Sequence, residues 1–263
     1  MTRRYLARRH LGVAAPSGRT RGGAKSAQGE HARALIVMNQ TLGNLVSLTL
    51  RHGDYETALM TSDEDARNSL RDWHPHVVFI DLDLYEPFID VVGQGLGHGH
   101  TPIIAFTRRR DTGVKLAAYE RGADDIVEVP FTLDEIVARP YALLRRAHGM
   151  TATIVPKIRL DGLEVDLIAQ RARVGGRDLA LTPIQQTLLY LLAANAGRAL
   201  SREDLLATIW GGELEIESNV VDRHIRELRV KLGDEWRAPR FIETVPGEGY
   251  RFRAQAEMSD AAQ

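Results

Sequence analysis

The sequence lacks cysteine altogether, and this absence excludes several kinds of chemistry. Without a thiol among its 263 residues, the chain has no disulfide, no cysteine nucleophile and no thiolate metal site. It also lacks any apolar run near the roughly 20 residues that a membrane-spanning helix needs. Neither sign of charge dominates, because 34 basic and 35 acidic residues leave a formal net charge of −1. We therefore expect a cytoplasmic protein without a membrane partner, in which any contact with nucleic acid depends on local charge.

The chain is long enough for two modest domains with separate cores. Residues 1–31 differ from the rest, since they are rich in Arg, Gly, Ser and Ala and carry one acidic residue, Glu30. No apolar core of a signal peptide follows Arg9. We predict a basic disordered tail or an upstream extension from a misjudged start codon, and a tail that attracts DNA phosphates is the alternative. Residues 256–263 are predicted to form a second, short tail.

Between residues 32 and 148, strand and helix patterns alternate. The strand-like segments are ALIVM, YETALMT, HVVFIDL, TPIIAFT and DDIVEVP. Apolar strands without polar alternation, separated by helices, predict a doubly wound five-stranded parallel sheet covered on both faces. In such α/β sheets, functional residues gather beyond the carboxyl ends of the strands. An enzyme such as a dehalogenase or a flavin protein is not expected, because no Gly-rich phosphate loop follows the first strand and no nucleophile with an adjacent base is visible.

A different pattern follows a predicted linker at residues 149–157. Strand-like pieces with a Gly175-Gly176 hairpin signal come first. Three helical segments and a hairpin follow: TPIQQTLLYLLAANAG, SREDLLATIWGG, SNVVDRHIRELRVKLG and FIETVPGEGYRFRA. The third helix has one apolar stripe that includes Ile225 and Leu228, and its other faces concentrate basic residues. This layout favours a helix that reads the major groove of DNA, and a solvated cationic face on a bundle helix is the alternative.

The C-terminal segments also resemble a known family. LTPIQQTLLYLLAANAGRALSREDLLATIWG, VVDRHIRELRVKL and FIETVPGEGYRF are similar to the winged-helix effector domain of OmpR/PhoB-type response regulators. The resemblance implies a winged helix-turn-helix domain over residues 158–255, with a recognition helix at Ser218–Leu232 and a wing at Phe241–Arg253. It assigns double-stranded promoter DNA as the partner. The residues that it places against DNA are Asn219, Arg223, His224, Arg226, Arg229 and Arg251.

Two positions depart from this family pattern. Glu227 stands where many relatives carry Arg; its carboxylate repels phosphate but is able to accept a hydrogen bond from cytosine N4. Pro246 stands where the wing often has an Arg that enters the minor groove. We therefore do not expect strong minor-groove readout by this wing.

The alternating domain resembles a CheY-type receiver in VVFIDLDL, TPIIAFT, RGADDIVEVPF and IVARPYALLRR. A receiver transfers a phosphoryl group from a histidine kinase to its own aspartate. The matching aspartate is Asp81, and Thr107 matches the pocket hydroxyl. Where the family places an acidic pair and a lysine, this chain has Met38, Asn39 and Val129. Mg²⁺ prefers carboxylate oxygens, which neither Met38 nor Asn39 provides.

These replacements predict a degenerate pocket that holds no metal and no cofactor. A phosphoryl group on Asp81 would lie beside Val129 without a fixed cation, which is unfavourable for a buried charge. We therefore expect a regulator that does not depend on aspartyl phosphorylation or on a histidine kinase.

Two alternatives for the pocket stay open. Asp83 and Glu86 would partly rebuild a cation site, which would make the protein a conventional response regulator phosphorylated on Asp81. Otherwise a small metabolite would bind in the altered pocket. Met38, Ile126 and Val129 would then form the apolar lining of the cleft. The protein would then be a one-component sensor.

Charged residues of the receiver-like domain stand at positions that form salt bridges between protomers in the family. The pairs are Lys115 with Glu135, and Asp125 with Arg139. Solvated surface charges, worth about 0–1 kcal/mol each, are the alternative. Pro140, inside the last helix of this domain, is expected to bend it.

We thus predict a sequence-specific transcription regulator that is not an enzyme. It is expected to form a homodimer through the receiver-like domain and to bind tandem or palindromic promoter half-sites. RNA polymerase is the further expected partner, and the segment WGGELEIES at Trp210–Ser218 is the predicted place of that contact.

Overall fold

The computed structural model describes residues 31–51, 53, 55–94, 100–149, 157–160, 162–166, 171–211 and 219–253, with residues 157–160 as backbone only. The predicted tails lie outside the described residues, apart from His31. Most of the predicted linker and residues 212–218 of the predicted polymerase contact also lie outside. The boundaries of the linker therefore stay predictions.

The first half of the chain forms a five-stranded parallel sheet in the order β2-β1-β3-β4-β5. Its strands are β1 (Ala32–Val37), β2 (Tyr55–Met60), β3 (Val77–Asp81), β4 (Ile103–Thr107) and β5 (Asp125–Glu128). Its helices are α1 (Gln40–Arg51), α2 (Asp63–Trp73), α3 (Leu82–Tyr85), α4 (Phe88–Gly93), α5 (Thr112–Glu120) and α6 (Leu133–His148). This confirms the predicted doubly wound sheet.

Both faces of this sheet are buried, which explains why its strands show no polar alternation. Ile36 and Phe79 point to one face and join the hydrophobic cluster that contains α1 and α6. Leu35 and Val78 point to the other face and pack with α2, α4 and α5. Successive side chains of a strand point to opposite faces, so the inner strands β3 and β4 are buried throughout and are apolar up to their last residue.

Between β3 and β4 the sequence shows no clear helical pattern, although helices are expected to separate the strands. The chain forms α3 and α4 there, of 4 and 6 residues. Pro87 separates the two helices, so neither is long enough to produce a clear helical periodicity. The helix α6, in contrast, runs through Pro140 to His148.

The second half begins with an antiparallel sheet of β6 (Lys157–Leu160), β7 (Leu163–Asp166), β8 (Arg171–Val174) and β9 (Arg177–Leu179). The helices α7 (Pro183–Ala194), α8 (Arg202–Trp210) and α9 (Val220–Leu232) follow. The last strands are β10 (Ala199–Leu200), β11 (Ile242–Val245) and β12 (Gly249–Phe252), which pair in the order β10-β12-β11. This is the predicted winged helix-turn-helix.

Local signals account for the ends of these helices. Thr182 and Gln185 form the predicted capping box of α7, with Pro183 at its first position. Ser201 caps α8 through the backbone N–H of Asp204. The helix α9 ends at Gly233, whose φ of 68° is a left-handed conformation that glycine adopts without strain. It begins at Val220, slightly later than predicted.

The two halves pack on each other through α1 and α7. Asn195, at the end of α7, is 4% exposed. Its Nδ2 donates to the carbonyl of Thr41 at 3.2 Å, and its Oδ1 accepts from Asn44 Nδ2 at 2.9 Å. Apolar residues of both halves join one buried cluster around this contact. Within the described part of the chain, none of the helices combines the length and the apolar character that a bilayer crossing requires.

Candidate functional site

The strand ends of the parallel sheet bring the predicted phosphoacceptor position and the pocket hydroxyl to one edge. Asp81 ends β3 and Thr107 ends β4, and neither residue is exposed to solvent. The Asp81 carboxylate accepts from the backbone N–H of Asp83 at 3.0 Å. Thr107 Oγ1 donates to Asp83 Oδ1 at 3.1 Å. Two carboxylates and a hydroxyl therefore form a compact acid pocket.

An arginine guanidinium occupies this acid pocket. Arg108 Nη1 lies 3.1 Å from both oxygens of Asp81 and 3.1 Å from Asp83 Oδ2. The backbone N–H of Arg108 also donates to Asp83 Oδ2, at 2.8 Å. Arg109 Nε donates to the other Asp83 oxygen at 2.8 Å. The expectation that the pocket has no fixed cation is therefore wrong. The chain supplies the cation from the residue directly after β4.

The two carboxyl groups differ in how strongly the pocket favours their charge. Burial raises the pKa of Asp81, and the nearby Arg108 guanidinium only partly opposes this effect. Burial acts in the same direction on Asp83, but hydrogen bonds from the Arg108 backbone and from the Arg109 side chain lower its pKa overall. Asp83 is thus firmly charged, and the charge of Asp81 depends on Arg108.

The positions that depart from the receiver pattern have structural partners of their own. Asn39 caps α1, because its Oδ1 accepts from the backbone N–H of Leu42 at 3.0 Å. Met38 and Val129 are buried in one hydrophobic cluster, whereas Ile126 belongs to the cluster on the opposite face of the sheet. These three side chains therefore do not line a common cleft, contrary to the expectation for a metabolite pocket.

Glu86 does not complete a metal site with Asp83. Its Oε1 pairs with Arg121 Nη1 at 2.6 Å, and its Oε2 lies 3.5 Å from Arg109 Nη2. Among the residues that the structure describes, no three His, Asp or Glu side chains are grouped as candidate metal ligands. Arginines hold these carboxylates instead of the partly rebuilt cation site that the sequence suggests.

The same Arg108 side chain also reaches the second half of the protein. Its Nε donates to the carbonyl of Ala207 in α8 at 3.3 Å. A Cβ built on Gly211, the cap residue of α8, would lie 3.7 Å from the Arg108 side chain and 3.9 Å from the carbonyl oxygen of Val129. The end of α8 thus lies directly against the acid pocket.

The residues predicted for the dimer surface pair within the chain. Arg139 Nη1 lies 2.9 Å from Asp125 Oδ2, and its Nη2 contacts Glu135 one helical turn earlier. Lys115 Nζ pairs with Glu128 at 2.6 Å and not with Glu135. On the neighbouring surface of α5, the apolar side chains Leu116 and Tyr119 are exposed.

The exposed side of α9 carries part of the predicted DNA-binding set. Asn219, Arg223 and Arg226 are exposed, together with Glu227 and Val230. The opposite side is buried against α7 and α8, as the apolar stripe predicts. These basic residues therefore lie on an exposed helix face, which is the arrangement that a major-groove reader needs.

His224 occupies a more enclosed position than the arginines of α9. Its ring is half-buried, and its centroid lies 5.4 Å from that of Trp210 at the end of α8. Burial lowers its pKa, and Arg223 acts in the same direction. Both effects favour the neutral ring over the charged one.

The two remaining predicted DNA contacts are engaged with the wing. The Arg229 guanidinium donates to the carbonyl of Ile242 at 2.9 Å and to Thr244 Oγ1 at 2.8 Å. Arg251 Nη2 pairs with Glu243 across the hairpin at 2.7 Å. Both arginines thus support the hairpin, and their contact with DNA stays a prediction.

A polar network that motif reasoning missed connects α8, α9 and the wing. Tyr250 in β12 donates its hydroxyl to Asp222 at 2.5 Å, and Arg202 Nε donates to the same carboxylate at 2.7 Å. The Arg202 guanidinium also lies over the Tyr250 ring, 5.1 Å from its centroid. These bonds fix the recognition helix relative to the wing. Their only sequence signal is a set of polar residues at the helix starts.

Known proteins resemble the chain over most of its length. Residues 176–252 match the family described as "Transcriptional regulatory protein, C terminal". The transcriptional regulatory protein KdpE of Mycobacterium tuberculosis is 33% identical over 210 residues, which cover 80% of this chain and 92% of KdpE. The response regulator ArlR of Staphylococcus aureus is 34% identical over 222 residues, covering 83% and 98%. The solved structure of DrrB, a Thermotoga maritima OmpR/PhoB homologue, is 26% identical, with a TM-score of 0.40, and the match covers 85% of this chain and 100% of DrrB.

Proposed function

The chain belongs to the OmpR/PhoB family of DNA-binding response regulators, and on this premise we propose that it regulates transcription without aspartyl phosphorylation. In this proposal the protein acts as a homodimer on promoter half-sites and contacts RNA polymerase. The observation that carries the proposal is the position of Arg108 in the acid pocket.

Phosphoryl transfer depends mainly on positioning and on neutralising the charge of the transferred group. An aspartate that accepts a phosphoryl group needs a free oxygen, and a metal that bridges it to the donor. Both oxygens of Asp81 contact Arg108, and the residue is fully buried. Asn39, at one of the expected metal-ligand positions, caps α1 with its only side-chain oxygen. The pocket is thus already neutralised from within.

An internal guanidinium also supplies the role that a phosphate would otherwise have in ordering the pocket. Arg108 connects β3, the start of α3 and α8 through one side chain. A fixed arginine of this kind keeps the geometry of the strand ends the same with or without a kinase. A receiver-like domain of this sort serves as a permanent structural and assembly unit.

The proposed dimer surface includes the exposed part of α5. Leu116 and Tyr119 are 57% and 46% exposed, and charged residues surround them, among them Lys115 and Glu128. An apolar centre within a polar rim is the usual composition of a protein interface. Dimerisation through this surface would place two recognition helices on adjacent half-sites.

The competing proposal is a conventional regulator that a histidine kinase phosphorylates on Asp81. The observation in its favour is that Asp81 and Thr107 both stand at the strand ends where a receiver needs them. Incubation with a small acyl phosphate and Mg²⁺, followed by intact-protein mass spectrometry, separates the two proposals. We expect no adduct of about 80 Da on the wild-type protein. An adduct that disappears in Asp81→Ala would refute phosphorylation independence.

A second experiment tests the regulator itself. Unphosphorylated full-length protein, without Mg²⁺, is used to select binding sites from random double-stranded DNA, and its mass is measured by light scattering. We expect a selected sequence with two half-sites and a dimeric protein. Failure to select any sequence would contradict the DNA-binding part of the proposal, and a monomer on a single half-site would contradict the dimer.

A further inference from the structure

Glu227 is an acidic residue in the middle of a basic helix face. It is exposed on α9, one turn after Arg223 and next to Arg226. With Val230 and Lys231, these side chains line a shallow groove of about 480 Å³. A carboxylate on a surface that faces DNA repels the phosphates, so Glu227 weakens unspecific attraction. Any favourable contact of Glu227 with DNA must therefore involve a hydrogen-bond donor on a base.

The Glu227 carboxylate is held in place by a buried side chain. Gln185, at the start of α7, is 1% exposed. Its Nε2 donates to Glu227 Oε2 at 2.9 Å. Its Oε1 accepts from Lys231 Nζ at 2.7 Å and from the backbone N–H of Thr182 at 3.1 Å.

These partners leave only one orientation for the Gln185 amide. The ammonium of Lys231 and the N–H of Thr182 are donors without acceptor capacity, so they must face the amide oxygen. The amide nitrogen must then face Glu227, which accepts its hydrogen. One oxygen of Glu227 is thereby fixed, and the carboxylate keeps free lone pairs toward the groove. A side chain fixed in advance loses less entropy when it binds.

The major groove offers few donors to such an acceptor. Cytosine presents its N4 amino group there, whereas adenine presents N6 beside the acceptor N7, and guanine and thymine present acceptors. A carboxylate next to adenine N7 would be repelled by it. Cytosine is therefore the base that matches Glu227, and the neighbouring arginines suit the O6 and N7 of guanine.

We propose that Glu227 determines sequence specificity by accepting a hydrogen bond from cytosine N4, and that Gln185 positions its carboxylate. The proposal rests on the proposed function, in which α9 reads the major groove. In each half-site, Glu227 would thus recognise one cytosine, although the same carboxylate weakens unspecific binding to DNA.

The test begins with sites that the wild-type protein selects from random DNA. Fluorescence anisotropy then measures the Kd for each of the four bases at every position of a half-site. At one position we expect cytosine to be preferred about 5- to 150-fold. Glu227→Ala should remove the preference at that position alone. Glu227→Gln should shift it to adenine, because an amide donates to N7 and accepts from N6.

Two further variants separate specificity from general effects. Glu203→Gln removes the same charge from the exposed start of α8 and should leave every base preference unchanged. Gln185→Ala should reduce the cytosine preference more than the affinity for the other bases, whereas a merely structural loss would weaken binding to all bases equally. If Gln185→Ala does not fold, Glu227→Asp replaces it. Its side chain is one methylene shorter, so it should likewise reduce the cytosine preference more than the affinity for the other bases.

The outcomes distinguish this inference from the proposed function. If the wild-type protein selects no sequence, the proposed function fails. If it selects a sequence and the Glu227 variants keep every base preference, Glu227 does not read a base and the inference alone is overturned. Equal weakening for all bases by both Gln185→Ala and Glu227→Asp would overturn the positioning role of Gln185.

Discussion

Truncation of Arg108 to alanine should destabilise the protein in a pH-dependent manner. The substitution leaves the Asp81 carboxylate, which has no solvent exposure, without its cation. Removing one partner of a buried ion pair typically costs about 3–5 kcal/mol. Asp81 limits this loss by taking up a proton. Protonating the carboxylate costs about 1.4 kcal/mol for each unit by which the pH exceeds the ordinary pKa. This cost is at most about 4 kcal/mol at pH 7 and about 1.5 kcal/mol at pH 5.

The sign of the pH dependence follows from the direction of the pKa shift. Burial already raises the pKa of Asp81, and loss of Arg108 raises it further. The folded variant then binds a proton that the unfolded chain has released, so its stability falls as pH rises through this interval. We expect Arg108→Ala to lose about 3–4 kcal/mol at pH 7 and about half of that or less at pH 5.

Urea unfolding at both pH values, followed by circular dichroism, measures this difference. Arg109→Ala is the matched control, because Arg109 pairs with the neighbouring Asp83 but is 44% exposed. An exposed pair of this kind is worth about 0.2–1 kcal/mol. Adding Asp81→Asn to Arg108→Ala should restore much of the stability at pH 7. A loss that is the same at both pH values, or no larger than that of Arg109→Ala, would refute the role of Arg108 as the cation of the pocket.

Three further predictions concern other parts of the molecule. Burial lowers the pKa of His224 from its ordinary value of 6.5, so the free energy of unfolding should decrease as pH falls from about 6.5 through the lower folded pKa. His224→Phe should make this decrease smaller, as measured by urea midpoints. Asn195→Ala leaves buried groups of α1 and α7 without partners, and we expect faster hydrogen exchange in both helices with a loss of about 1–3 kcal/mol; unchanged exchange would contradict the contact. Tyr250→Phe removes a hydrogen bond to the charged Asp222, so the free energy of unfolding should fall by about 1.5–3 kcal/mol. Asp222→Asn should destabilise the Tyr250→Phe variant much less than it destabilises the wild-type protein.

Much of the fold follows from local patterns in the sequence. The strands of the parallel sheet are readable because burial on both faces requires continuous apolar runs. The helices of the second half are readable because capping residues such as Thr182 and Ser201 mark their starts. The helices α3 and α4 are not, since each is too short for periodicity to distinguish it from a loop.

The sequence predicts the aspartate and the threonine of the acid pocket but not its arginine. Asp81 and Thr107 end neighbouring strands, so their meeting at one edge follows from the order of the strands. Arg108 is the first of three arginines in the run TRRRD, which by composition is an ordinary exposed charge cluster. Residues that follow β4 lie at the same edge as those that follow β3, and this rule would have pointed to Arg108. It does not say which of three consecutive arginines enters the pocket.

The amino-acid sequence alone determined the architecture and the kind of protein: a doubly wound sheet, a winged helix, and a helix with one apolar and one basic side. Tertiary structure decided how each charge is used. It turned Arg229 toward the wing, left Arg223 and Arg226 on the exposed face of α9, and placed Arg108 on a buried aspartate. The physical reason is distance. Apolar periodicity is a property of neighbouring residues, whereas an ion pair depends on which side chains, far apart in sequence, come within about 3 Å.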